Sequence, residues 1–181
     1  MHADLPQSYQ AALRTLLRFA SAMMVVALLT GVLFQESSKK LSFADAPPGL
    51  HIETTIRLAL VHGHVFTTAV LIPIAAAAAL VLARRIGGRE LTQRSLRWLT
   101  RVYLPLVSSA LALMLWKAYH LLLSVRWGET DLDAIDAQFF FGLKWARHIV
   151  YGGSHIGMAV GLGVFAVALF RSLGGARGAQ A

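Results

Sequence analysis

Polar and apolar positions along the chain fall into a coarse alternation. Long apolar stretches at about 16–34, 58–83, 102–124 and 146–170 are separated by short polar connections. Each stretch approaches or exceeds the roughly 20 helical residues needed to cross about 30 Å of hydrocarbon. Backbone amides in lipid must be satisfied internally, so segments of this length predict helices. The pattern therefore predicts an all-α, four-helix transmembrane bundle of up-down topology. The spans take up most of the 181 residues, which makes 1–181 a single membrane domain with no separate soluble module.

Composition agrees with a bilayer as solvent: 56% of residues are hydrophobic and 14% charged, far from the balance of a soluble domain. The first span has Arg14 and Arg18 before it and "ADA" at 44–46 after it, the outline of a cleavable signal. Its apolar run is longer than a signal core and the small-residue site lies well beyond it, so it reads as a retained helix. With no cysteine in the chain, disulfides, thiolate metal sites and iron–sulfur clusters are excluded on it.

Charge sets the orientation. Arg84, Arg85, Arg89, Arg94, Arg97 and Arg101 stand against Glu90 alone in the 84–101 connection, and the tails add Arg14, Arg18, Arg171 and Arg177. The other connections hold Lys39, Lys40, Arg57, Arg126, Lys144 and Arg147 among the acids Glu36, Asp45, Glu53, Glu129, Asp131, Asp133 and Asp136. A basic excess marks the cytoplasmic side, which places both termini in the cytoplasm. The sequence pI near 10.6 is accounted for by anionic headgroups beside helix ends, with the lipid bilayer as partner and no nucleic acid. "APPGL" at 46–50 predicts a turn, and "GETDLDAIDAQFFFGLKW" predicts a short interfacial helix.

Within this frame the histidines stand out. His62, His64, His120, His148 and His155 all fall within spans or at their mouths, on the outer side; intramembrane ionisable groups are rare and usually line functional sites. At 100° per residue His62 and His64 point about 200° apart, so one of them faces the bundle centre, whereas His148 and His155 share a face. Diagonal second and fourth helices would aim His64 and His155 at the two faces of a haem iron, with His62 and His120 as alternates. Gly152 gives clearance for a macrocycle. Gly153, Gly157 and Gly161 form a small-residue stripe for helix packing or for a homo-oligomer. Lys117, Arg147, Arg57 and Arg126 are placed to meet propionates, and Glu36, Gln35, Tyr119 and Tyr151 to orient the rings.

"GVLFQESSKK", "VHGHVF", "WKAYH" and "GGSHIGMAVGLG" resemble a family of small bacterial four-span membrane proteins marked by H-x-H in the second span and a histidine in the fourth. The resemblance spans most of residues 28–170 through short motifs. It departs from the family at Lys117 and His120, where an arginine is expected, and it implies no established activity. H-x-H at a helix start is also similar to membrane proteins related to the haem-copper oxidases and the nitric-oxide response. That similarity implies His62, His64 and His155 as ligands. The resulting expectation is a protein of the bacterial inner membrane that binds haem b near the outer face. It would serve electron transfer with a redox partner or quinone, or the sensing or handling of a small redox ligand. Two alternatives stand beside it: a zinc or copper site or transport path lined by His62, His120 and His155, and a cofactor-free transporter subunit or assembly factor.

Overall fold

A computed structural model describes residues 5–40, 49–140 and 142–174, without the side chains of Lys40 and Lys144. Of the expected turn at 46–50, residues 46–48 lie outside the described residues, as do Phe141 and Arg177, while Gly49 takes φ 88° ahead of α2. The described chain is helical: α1 (Gln7–Lys40), α2 (Leu50–Arg85), α3 (Gln93–Arg126), the short α4 (Leu132–Gln138) and α5 (Lys144–Gly174). The four long helices are each long and apolar enough to cross a membrane. All four run past the apolar stretches that predict them, because polar residues such as those at 50–57 and 93–101 continue the hydrogen-bond ladder.

Local chemistry fixes the ends. Gly87 takes φ 85° after α2, its N–H donates to Arg84 O, and the Gly88 N–H donates to Ala83 O. This left-handed termination satisfies carbonyls that would otherwise be orphaned. The same device ends α3, where Gly128 at φ 99° is followed by a bond from Glu129 N–H to Ser124 O. Thr92 accepts from Ser95 N–H at the start of α3, and Asp131 accepts from the N–H groups of Asp133 and Ala134 at the start of α4.

Two stretches are wider than an α-helix: Val65–Leu71 in α2 and Trp98–Tyr103 in α3 are π-helical. Each is followed by a proline, Pro73 and Pro105. Proline removes an amide donor and crowds the carbonyl four residues back, and in both cases the residue before it bonds five residues back, Ile72 to Thr67 O and Leu104 to Leu99 O. The two widened turns are linked by the Tyr103 hydroxyl, which donates to Thr68 O at 2.8 Å.

α3 is the common support, with α2 and α5 packed along it and α1 packed along α2. The α5–α2 contact runs chiefly along Ile72–Arg85. One core joins Leu16, Leu58, Val65, Leu80, Leu99, Val107, Leu122 and Phe165, while Leu28, Leu29 and Val32 of α1 and Ile156, Val167 and Phe170 of α5 stay exposed. The basic end is tied by Tyr9, 0% exposed, whose hydroxyl accepts from Leu91 N–H at 2.7 Å, and by Ser172, which donates to Arg89 O.

Candidate functional site

The histidines separate into two levels. Gly157 lies against Leu106, Gly161 against Tyr103 and Trp98, and the Tyr151 hydroxyl donates to Leu113 O at 3.1 Å. Read along these contacts, His155 stands level with about residue 108 of α3. The Tyr103–Thr68 bond places His62 and His64 within about a turn of the same level. His120 lies about 12 residues further along α3, roughly 18 Å along its axis. The expectation of five histidines in one layer is thus replaced by two tiers. α2 begins at Leu50, so His62 and His64 sit well inside it and not near its mouth.

In the inner tier all three imidazoles make the same kind of bond. The Nδ1–H of His62 donates to Ala27 O of α1 at 2.8 Å, that of His64 to Leu60 O at 2.7 Å and that of His155 to Tyr151 O at 2.7 Å. A carbonyl only accepts, so Nδ1 is the donor, and in the neutral ring the lone pair is on Nε2. His62 is wedged between helices: a Cβ on Gly31 of α1 would lie 3.0 Å from its ring. His64 and His155 are exposed, each bonded within its own helix. They reach the bundle surface from two helices that both pack on α3.

The outer tier is built by the chain between α3 and α5. Phe139 and Phe140 pack against Trp116 at 4.7 and 5.7 Å between ring centroids, tilted and edge-on, and reach Tyr151 at 6.4 and 6.2 Å. Phe140 adopts φ 62°, a strained conformation for a side chain of its size, held between these rings. Below them His120 lies 5.8 Å from Phe139, and its Nε2 is buried without a hydrogen-bond partner.

Beside the rings, Asp136 of α4 pairs with both Lys117 of α3 and Arg147 of α5. Burial pushes the Asp136 carboxyl up, but the hydrogen bonds and charges of Lys117 and Arg147 outweigh this and hold it below the usual carboxylate value. Two of the four cations expected to meet propionates, Lys117 and Arg147, are therefore engaged with one carboxylate. A cleft of about 250 Å³ opens here, lined by Asp133, Asp136, Phe139, Arg147 and His148.

The glycines divide by use. Gly157 and Gly161 seat α5 on α3, which commits them to packing within the chain, while Gly152 and Gly153 would admit a Cβ without contact. Tyr119 exchanges a hydrogen bond with Ser37 at 3.1 Å, and neither it nor Tyr151 bonds an imidazole through its hydroxyl. Among the described residues, no three His, Asp or Glu side chains converge as a metal-binding group. Sequence reasoning missed Asp136 and Phe139. The acid–aromatic run predicts an interfacial helix, and nothing in its spacing tells which span it folds back on. No protein-family model, curated protein or solved structure matches the chain.

Proposed function

We propose that the chain is a four-span, up-down protein of the bacterial inner membrane, with both termini in the cytoplasm, that binds haem b through His64 and His155. The observation that supports this reading most directly is the inner tier. Two imidazoles at a common level, on helices flanking α3, each have Nδ1–H fixed by a carbonyl and Nε2 open. Ligating histidines characteristically donate their other ring N–H to a backbone carbonyl, which sets the tautomer and the ring orientation. The donor set fits an iron macrocycle: neutral imidazoles, no thiolate, and an apolar surround supplied by α2, α3 and lipid.

The group itself supplies one-electron chemistry or a binding place for a small redox ligand. The chain's own residues do the positioning. Leu60 O and Tyr151 O hold the two rings. His62 ties α2 to α1 through Ala27 O and thereby fixes the rotation of the segment that carries His64. α2 and α5 meet chiefly along Ile72–Arg85, so the segments that carry His64 and His155 are not packed tightly against each other.

The test is the visible spectrum of the detergent-purified protein, oxidised and then reduced with dithionite. A shifted Soret band with resolved α and β bands is expected, lost in His64→Ala and His155→Ala and retained in His62→Ala. A colourless preparation containing stoichiometric zinc or copper would overturn the haem assignment in favour of a metal site.

A further inference from the structure

At the basic end, a groove of about 520 Å³ runs along α5 beside the start of α3, lined by Ser95, Val160, Gly163, Val164, Val167 and Arg171. Its walls are aliphatic and its polar groups come from the helix ends that meet there, Ser95 in the first turn of α3 and Arg171 in the last turn of α5. The groove is thus amphipathic along its length, with a hydrocarbon trough and a cationic mouth.

Two independent features point to what fills it. The first is Gly163. Glycine is among the weakest helix formers, and Gly157 and Gly161 are explained by the close approach of α3, yet a Cβ on Gly163 would meet nothing within 4 Å. Its missing side chain serves no contact inside the chain and deepens the groove for something outside it. The second is charge. The described residues at this end include Arg14, Arg18, Arg84, Arg85, Arg89, Arg94, Arg97, Arg101 and Arg171, with Glu90 the acid among them, and Glu90 accepts from Ser8. Basic clefts between transmembrane helices attract anionic headgroups.

We propose that this groove binds an anionic phospholipid, one acyl chain lying against Gly163, Val164 and Val167 and the phosphate held by Arg171 and the Ser95 hydroxyl. The site is independent of the histidine tier and holds whether or not haem is bound.

The experiment is native mass spectrometry of the full chain released from micelles containing equal amounts of phosphatidylglycerol and phosphatidylcholine of matched chains, read together with oligomeric state. The wild type is expected to retain phosphatidylglycerol at least fivefold over phosphatidylcholine. Arg171→Gln should bring that ratio within twofold. Gly163→Leu, which fills the trough at constant charge, should reduce retention of both lipids, and Gly163→Ala should do so more weakly. Arg14→Gln, at the same end but on α1, should leave the ratio unchanged. Equal retention by the wild type, a preference that survives Arg171→Gln, or an equal loss in Arg14→Gln would overturn the site. So would stabilisation by inorganic phosphate alone, or a dimer that Gly163→Leu dissociates without altering lipid retention, since the occupant would then be a free anion or a second copy.

Discussion

Gly161→Ala tests the seat of α5 on α3. An ideal Cβ at Gly161 lies 3.2 Å from both Cβ and N of Tyr103 and 3.3 Å from Trp98 O, whereas comfortable carbon contacts begin near 3.5 Å. Those atoms belong to the backbone and first side-chain carbon of the π-helical turn, so no rotamer change moves them away. α5 must lift by a few tenths of an ångström. Overpacking of this kind costs about 1–3 kcal/mol, offset by about 1 kcal/mol of improved helix propensity. The net expectation is a destabilisation of about 1 kcal/mol. Gly163→Ala meets nothing and should gain about 1 kcal/mol from propensity alone. Gly157→Ala should fall between them, because the atom it meets is the terminal methyl of Leu106, free to rotate. The three variants share one chemistry, so their order isolates the packing. Reversible unfolding in mixed micelles, with helicity followed against the mole fraction of denaturing detergent, measures it. If Gly161→Ala proves as stable as Gly163→Ala, α5 does not rest on Tyr103 and the depth assigned to His155 fails with it.

Asp136→Asn should destabilise by about 1 kcal/mol, since it leaves Lys117 and Arg147 facing each other partly buried. Because the folded Asp136 carboxyl lies below the usual carboxylate value, the stabilisation is complete above that usual value and is lost as pH falls through the lowered folded one. The difference between wild type and Asp136→Asn in acid titrations of unfolding should therefore shrink below about pH 4. His62→Leu should remove roughly 0.6–1.7 kcal/mol by deleting the bond to Ala27 O, and the thermal midpoint should drop even in preparations without any bound group. Reporter fusions after Arg89 and after Gly174 should give the cytoplasmic signal and one after Gly128 the opposite. A cytoplasmic signal at Gly128 would reverse every assignment of side.

The four long helices were legible because hydrocarbon imposes a length and a composition that twenty consecutive residues cannot hide. Their ends were less so: the apolar count stops at Leu58, yet helix begins at Leu50, because hydrogen bonding continues after the solvent has changed. That eight-residue extension, together with the widened turns, is why one expected tier of histidines became two. Gly157 and Gly161 announced close packing, and only the structure names Leu106, Tyr103 and Trp98 as the surface met. Lys117 and Arg147 read as free cations because their partner Asp136 belongs to α4, whose fold-back depends on the geometry of the whole connection. The buried Nε2 of His120 had no signal at all, since Phe139 that covers it lies far along the chain.

The paired π turns at Val65–Leu71 and Trp98–Tyr103 also act as a clutch between the two halves of each helix. A wide turn accommodates about one residue more than an α turn, so deleting one residue there would restore ordinary winding and rotate everything beyond it by about 100°. In α2 that rotation would swing His62 off α1 and sweep His64 to a new bearing, while Ala76, Leu80 and Ala83 kept their buried places below the break. A deletion there would re-aim the imidazoles only by also turning Thr54, Leu58 and Val61 out of the core, so the wide turn sets which face of the whole preceding segment is buried.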